Sequence, residues 1–239
     1  MDKKVSKLLT YKTEYFLPEK INGVKIFIPD ENYDYPFFSK KILSEKICDD
    51  MVKNFLLNGP GSISAINAGD PKGTVSEYIR NSYNLIMEPD DKKIYHETMV
   101  QILPEIEDFF KVTIKSQEGM HPLGYSPGKR FAFHADNSRL KPSNDNSYAG
   151  WIMTYETRVL SSVLFLTDSV EQITEFNQCT GGELVFGFLL DENGQAFALK
   201  PQKGLLLVFP SNPVFAHEVE PVIDGYRVSI VDWYDCDFL

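Results

Sequence analysis

The chain has 239 residues, 43% hydrophobic and 13% aromatic, which supplies a core and excludes a disordered class. A net charge of -10 argues against the clustered Lys and Arg that phosphate backbones require, so no nucleic-acid partner is expected. The start, Met1-Asp2-Lys3-Lys4, leads into a polar stretch with no apolar h-region, and no run of about eighteen apolar residues follows. Neither a secretory signal nor a membrane partner is therefore expected, and the cytoplasm is the expected location.

Residues 24–28 (Val24-Lys25-Ile26-Phe27-Ile28) read as a short strand. Ser44 then has the chemistry of an N-cap, and Ile47, Met51, Val52, Phe55 and Leu56 fall on one helical face that Pro60-Gly61 ends. A second helix is predicted from about Asp90 to Phe110, with Ile102, Leu103, Ile106, Phe109 and Phe110 at the 3.6-residue period. Pro104 lies inside it and predicts a break or kink.

From about Val112 the texture changes to short β-prone runs: Phe131–Asp136, Ser161–Thr167, Glu183–Gly187, Ala196–Leu199, Leu205–Phe209, Phe215–Val219 and Arg227–Trp233. Gly181-Gly182, Glu192-Asn193-Gly194 and Asp224-Gly225 supply turns between them. Helices followed by strands predict a mostly β fold with supporting N-terminal helices, a sandwich or a barrel. One domain is expected over 1–239, with residues 1–110 mainly helical support and 111–239 the β core. Residues 137–152 are polar, carry a Pro and a Gly, and read as a mobile loop. Cys48, Cys179 and Cys236 are odd in number and far apart, so buried or incidental thiols are expected rather than a disulfide framework.

The chemistry concentrates at His134-Ala135-Asp136 and His217, which hold two of the chain's four histidines. On a strand, alternation puts His134 and Asp136 on one face and turns Phe131 and Phe133 into apolar packing on the other. Two imidazoles and a carboxylate form the donor set that holds one face of Fe(II) and leaves the other open. A hydrogen-bonded surface pair is the plain alternative for an HxD alone, and a structural histidine for His217. Arg227, ten residues after His217, offers a fixed fork for a carboxylate, against the alternative of a surface salt bridge. A two-residue turn at Asp224-Gly225 would point Arg227 away from His217. A three-residue loop with Gly225 in the left-handed region would bring both to one interior, and is the geometry expected. Tyr125 offers a phenol to the same carboxylate or, alternatively, a core side chain.

The ordered set Tyr125-x-x-Gly128, His134-x-Asp136, Gly181-Gly182-Glu183, Lys203-Gly204, Phe209-Pro210-Ser211, His217-Glu218-Val219, Pro221-Val222, Gly225-x-Arg227 and Trp233 resembles the prolyl 4-hydroxylase branch of the 2-oxoglutarate oxygenases. Phe37-Phe38 with Leu43-Ser44, and Arg80-Asn81-Ser82, are similar to that branch's upstream segments, so the resemblance spans roughly residues 37 to 235. It implies a double-stranded β-helix (jelly-roll) core and Fe(II) held by His134, Asp136 and His217. It implies 2-oxoglutarate as cosubstrate, with its far carboxylate on Arg227 and Tyr125, O2 as oxidant and ascorbate as an accessory reductant. Arg80 and Trp233 are implied on the substrate side.

The activity implied is hydroxylation of an unactivated C–H bond of a prolyl or other residue in a peptide or protein, or of a free amino acid. Asp136 favours hydroxylation over halogenation, since halogenases of this type lack the carboxylate. Two departures stand out: many prolyl 4-hydroxylases carry Lys where Arg227 stands, and the segment Asn137 to Tyr155 is longer than the family's connection. The Tyr-rich, acidic surface suits a basic peptide or protein loop. The alternatives are a non-catalytic jelly-roll metal- or ligand-binding protein with a relic site, and a zinc hydrolase. The latter lacks a general base at an HExxH-like spacing.

Overall fold

The computed structural model describes residues 14–15, 37–59, 61–62, 80–142, 148–191 and 193–239; the strand expected at residues 24–28 lies outside them. Helix α1 spans Glu45–Asn58 and begins where the Ser44 hydroxyl accepts from the Ile47 N–H at 3.4 Å. It stops at Gly59, whose positive φ of 74° lets its N–H reach back to the Leu56 carbonyl. Helix α2 spans Pro89–Phe110, with Pro89 in its first turn followed by Asp90 and Asp91. The break expected at Pro104 does not occur, and α2 continues through it. Pro104 faces solvent, and Val100, whose carbonyl loses its partner, is exposed, so water replaces that bond. Ile102 and Ile106 on either side are buried and pin the helix down.

In chain order the strands are β1 Glu14–Tyr15, β2 Phe38–Lys41, β3 Tyr83–Asn84, β4 Val112–Gln117, β5 His121–Tyr125, β6 Phe131–His134, β7 Ser138–Pro142, β8 Tyr148–Met153, β9 Leu160–Phe165, β10 Asp168–Ser169, β11 Gln178–Gly181, β12 Leu184–Leu190, β13 Ala196–Leu199, β14 Leu205–Pro210, β15 His217–Val219, β16 Val222–Gly225 and β17 Arg227–Phe238. The large sheet runs β2-β14-β9-β17-β5-β3, with β4 also on β17, and a smaller sheet runs β13-β12-β15-β6. Two three-stranded sheets complete the fold, β10-β11-β16 and β1-β8-β7. Every pairing is antiparallel except β10 with β11.

The strict alternation of the large sheet makes two cores. Leu160, Leu164, Leu206, Val208, Val228, Ile230 and Tyr234 point outward and pack under α1 and α2 against Met51, Phe55, Met99 and Ile106. Val163, Phe165, Leu207 and Phe209 point inward and meet Leu184, Phe186, Phe215 and Val219 of the facing side. This two-sheet, helix-backed arrangement is the mostly β, jelly-roll fold expected. Lys203 stitches α1 to the strands: its buried ammonium reaches Asp49 at 3.0 Å, Glu175 at 3.5 Å and Asp168 at 3.8 Å. All three cysteines are buried and unpaired, with burial pushing their thiols up to about 12, 11 and 12. Among the described residues no helix is long and apolar enough to cross a membrane.

Two sequence expectations need correction. The described residues of 137–152 are not loop: β7 and β8 pair antiparallel from Ser138↔Met153 to Pro142↔Tyr148, with Trp151 packed on Ala135 and Ala216. The Asp224-Gly225 segment is not a hairpin turn of either kind. Strand β16 pairs with β11, with Gly225 opposite Cys179, while β17 crosses to the large sheet and pairs with β5 and β9. Gly225 does take the left-handed conformation, at φ 79°, because a Cβ there would lie 2.3 Å from the Gln178 carbonyl oxygen.

Candidate metal centre

Strand β6 ends at His134 and β15 begins at His217, and the two are register partners across the smaller sheet. Their rings lie 4.5 Å apart between centroids. Asp136 is not on the strand. It sits in a bend two residues beyond His134, so the shared face comes from the bend rather than from strand alternation. The bend is fixed from outside: the Asn137 N–H donates to Ser211 O, and Arg158 Nη1 donates to the Asp136 carbonyl at 3.2 Å. Asp136 Oδ1 then lies 3.6 Å from His134 Nε2, and Oδ2 lies 3.9 Å from His217 Nε2. One ligand atom from each residue falls within 4.8 Å of the others.

The hydrogen bonds select the tautomer a metal needs. His134 Nδ1 is 2.9 Å from the Ala132 carbonyl, and His217 Nδ1 is 2.9 Å from the Phe215 carbonyl. A carbonyl only accepts, so each Nδ1 carries the proton and each Nε2 turns a lone pair toward Asp136. Burial and the neighbouring His134 push His217 down to about 4, which keeps it neutral. Burial opposes the charged form of Asp136, and the Ser161 hydroxyl favours it. A buried carboxylate facing two neutral imidazoles lacks a full counter-charge, and a divalent cation supplies it. The donor set fits Fe(II), with two imidazole nitrogens and one carboxylate on one side.

Arg227 is buried on β17, opposite Tyr125 of β5. Its guanidinium carbon lies 5.1 Å from the Tyr125 ring and 5.4 Å from the Phe165 ring. Arg227 Nε donates to the Gly182 carbonyl at 2.8 Å and Nη1 to Ser229 Oγ at 3.0 Å. Among the described residues no carboxylate forms an ion pair with it, and burial lowers its affinity for its proton. A desolvated guanidinium without an acid is what a carboxylate ligand would complete. Gly182 explains the Gly-Gly pair: at φ 72° it tolerates a conformation other residues resist, and a Cβ there would lie 2.9 Å from Arg227 Cδ.

The structure brings His134, Asp136 and His217 together, sets Arg227 beside Tyr125, and adds residues that the sequence did not single out. Phe131 packs against the inner core as expected but does not turn away from His134. Its ring stacks on His134 at 3.7 Å and 14°, and the Arg80 guanidinium sits 4.9 Å above the same ring. Arg158 was not foreseen: it pairs with Glu118 through Nε and Nη2, both at 2.7 Å. Its guanidinium lies 3.8 Å from the Trp233 ring and 4.1 Å from that of Tyr155. The signal available was slight: Arg158 stands between a polar stretch and a β run, with Glu156 the one acid within four residues in the sequence.

Residues 120–235 match the family model of the 2OG-Fe(II) oxygenase superfamily. A PKHD-type hydroxylase of Synechococcus elongatus is 34% identical over 109 residues, which is 46% of this chain and 39% of the relative's length. The matched segment thus spans well under half of that curated relative. Among solved structures, a prolyl-4-hydroxylase of Pseudomonas putida is similar, with a TM-score of 0.57 at 20% identity over 84% of this chain and 92% of that one. A Trichoplax adhaerens prolyl hydroxylase in complex with a hypoxia-inducible-factor peptide fragment is similar with a TM-score of 0.58 at 17% identity, covering 84% and 83%. Residues 120–235 are thus similar to the 2OG-Fe(II) oxygenase superfamily, and the chain has a prolyl 4-hydroxylase-like fold. That family's cofactors are Fe(II), 2-oxoglutarate and O2.

Proposed function

We propose that the protein is an Fe(II)- and 2-oxoglutarate-dependent hydroxylase acting on a prolyl or other amino-acid residue of a peptide or protein, or on a free amino acid. The observation that carries this is the pair of lone-pair-bearing Nε2 atoms and the Asp136 carboxylate within 4.8 Å of one another, with Arg227 buried in the same interior. When bound, iron and 2-oxoglutarate supply the oxidising power to hydroxylate an unactivated C–H. The chain's own side chains hold and shield. His134, Asp136 and His217 would hold the metal, and Arg227 with Tyr125 would receive the far carboxylate of the cosubstrate. The inner aromatic wall of Phe165, Phe186, Phe209 and Phe215 keeps bulk water from the reaction. The relatives' names and a neighbour bound to a peptide fragment support the substrate class.

The test is anaerobic absorption spectroscopy with Fe(II), before and after 2-oxoglutarate. A visible charge-transfer band is expected, lost in His134→Ala and weakened in Arg227→Ala. No band at saturating cosubstrate would leave the non-catalytic binding protein as the better reading.

A further inference from the structure

The chain carries a net charge of -10, yet the mouth of the metal centre is lined by hydrogen-bond donors and positive charge. Arg80 donates from Nε to Ser82 Oγ at 3.2 Å and lies over the Phe131 ring. Among the described residues no carboxylate forms an ion pair with it. The Phe131 ring beneath it stacks in turn on His134 at 3.7 Å, which sets the guanidinium beside the metal centre. Arg158 does not share this condition, because Glu118 neutralises it through two bonds. A second donor lies nearby: the Trp233 indole Nε1 is buried without a hydrogen-bond partner among the described residues, on a residue only 9% exposed. Trp233 lies under the same Arg158 guanidinium that touches the Asp136 carbonyl. His121, packed 4.9 Å from Trp233, is pushed down by burial and by Arg158 and so adds no charge.

A charge count shows what is missing. A divalent iron, Asp136, Arg227 and a 2-oxoglutarate dianion sum to zero, which leaves Arg80 as an uncompensated charge beside them. A buried donor left unmade costs free energy, and a desolvated guanidinium costs more. Resting on the hydroxylase reading above, we propose that the substrate presents a carboxylate to Arg80 and the Trp233 indole, next to the carbon that is oxidised. The protein selects an acidic peptide residue beside its target, or a free amino acid through its own carboxylate, and rejects a basic neighbour.

The test uses four probes: N-acetyl-Asp-Pro methylamide, its Ala and Lys counterparts, and free L-proline. Affinities are measured by titration calorimetry in Zn(II)-loaded protein saturated with 2-oxoglutarate, which does not turn over. The Asp probe or L-proline is expected to bind at least about tenfold tighter than the Ala probe, with the Lys probe weakest. Arg80→Gln should level the series, Arg80→Lys should largely restore it, and Arg80→Glu should favour the Lys probe. Tighter binding of the Asp probe assigns the group to a peptide, and tighter binding of L-proline to a free amino acid. A flat series, absence of binding included, overturns the proposal, as does an unchanged preference in Arg80→Gln. Loss of the anaerobic Fe(II)/2-oxoglutarate band in Arg80→Gln also overturns it, since Arg80 would then hold the cosubstrate. A wild-type band with a flat series sinks this inference alone; no wild-type band sinks the hydroxylase reading with it.

Discussion

Strand β17 borders two environments, and its two faces handle polar groups in opposite ways. On the helix-covered face, Val228, Ile230 and Tyr234 pack into the core, and the polar groups answer one another. Asp232 Oδ1 there accepts from the N–H groups of Gly119 at 3.0 Å and Trp233 at 2.8 Å, and Tyr234 meets Ser162 at 3.1 Å. On the inward face, Arg227 has no ion-pair partner and the Trp233 indole no acceptor among the described residues, and opposite them two imidazoles turn lone pairs toward a carboxylate. A folded chain satisfies its buried polar groups unless something else does so. The inward face is therefore built for ligands and the outward face for stability, so substitutions on the two should separate function from folding.

The largest effect is expected at His217. His217→Ala should abolish the Fe(II)/2-oxoglutarate band and reduce succinate formation by more than about a hundredfold, since a ligand counts for more than its supporting shell. The metal-free melting temperature should hold or rise, because an unsatisfied polar cluster is relieved. A large fall in the metal-free melt would break the distinction between the faces. On the outward side, Ile106→Ala empties a fully buried position under the sheet and should cost about 2–5 kcal/mol in urea unfolding. The band, measured well below the unfolding transition, should be unchanged.

The same contrast explains what was legible in the sequence. The outward face follows periodicity, so α1, α2 and the strands β9, β14 and β17 of the large sheet could be placed from apolar spacing, whereas its short or half-exposed strands β2, β3, β4 and β5 could not. The ligands were legible as residue types, but not as geometry: Asp136 reaches the centre from a bend held by Ser211 and Arg158, distant contacts that no local pattern encodes. The crossing of β16 and β17 between sheets looked like a hairpin because a Gly in the left-handed region serves both. Phe131 was misplaced for a related reason, since alternation sends it away from His134 while the ring folds back and stacks on it. The β7–β8 pairing was hidden by polar composition, although Trp151-Ile152-Met153 was a β-prone signal.

An intermediate effect is expected where the backbone itself shapes the inward face. In Gly182→Ala the new methyl would meet Arg227 Cδ at 2.9 Å and Val222 Cγ2 at 3.2 Å, in a conformation of φ 72°. Arg227 must shift, and the apparent KM for 2-oxoglutarate should rise about tenfold while kcat changes less. Stability should fall by about 1–2 kcal/mol from the strained conformation. If KM stays unchanged, Arg227 is not the cosubstrate's partner.

The smallest effect is expected at Asp232, and it tests whether the outward face is satisfied without ligands. Burial pushes its carboxyl up to about 6, against the N–H bonds from Trp233 and Gly119 and the Tyr95 hydroxyl, with Glu118 adding to the rise. Tyr95 and Tyr234, the other titratable groups around it, are pushed up and stay neutral. The folded value lies above the unfolded one of about 3.8–3.9, so the folded state binds the proton that the unfolded chain has lost. Stability from this group is present below about pH 4 and declines as pH rises to about 6, by roughly 2 kcal/mol. Asp232→Asn keeps an oxygen acceptor in place and removes the titration, so the slope of unfolding free energy between pH 4 and 6 should flatten. The anaerobic band should persist at pH 7, because the side chain lies on the helix side of the sheet. A slope unchanged in Asp232→Asn would mean that this carboxylate is better compensated than its surroundings suggest, and a lost band that the two faces of β17 are coupled.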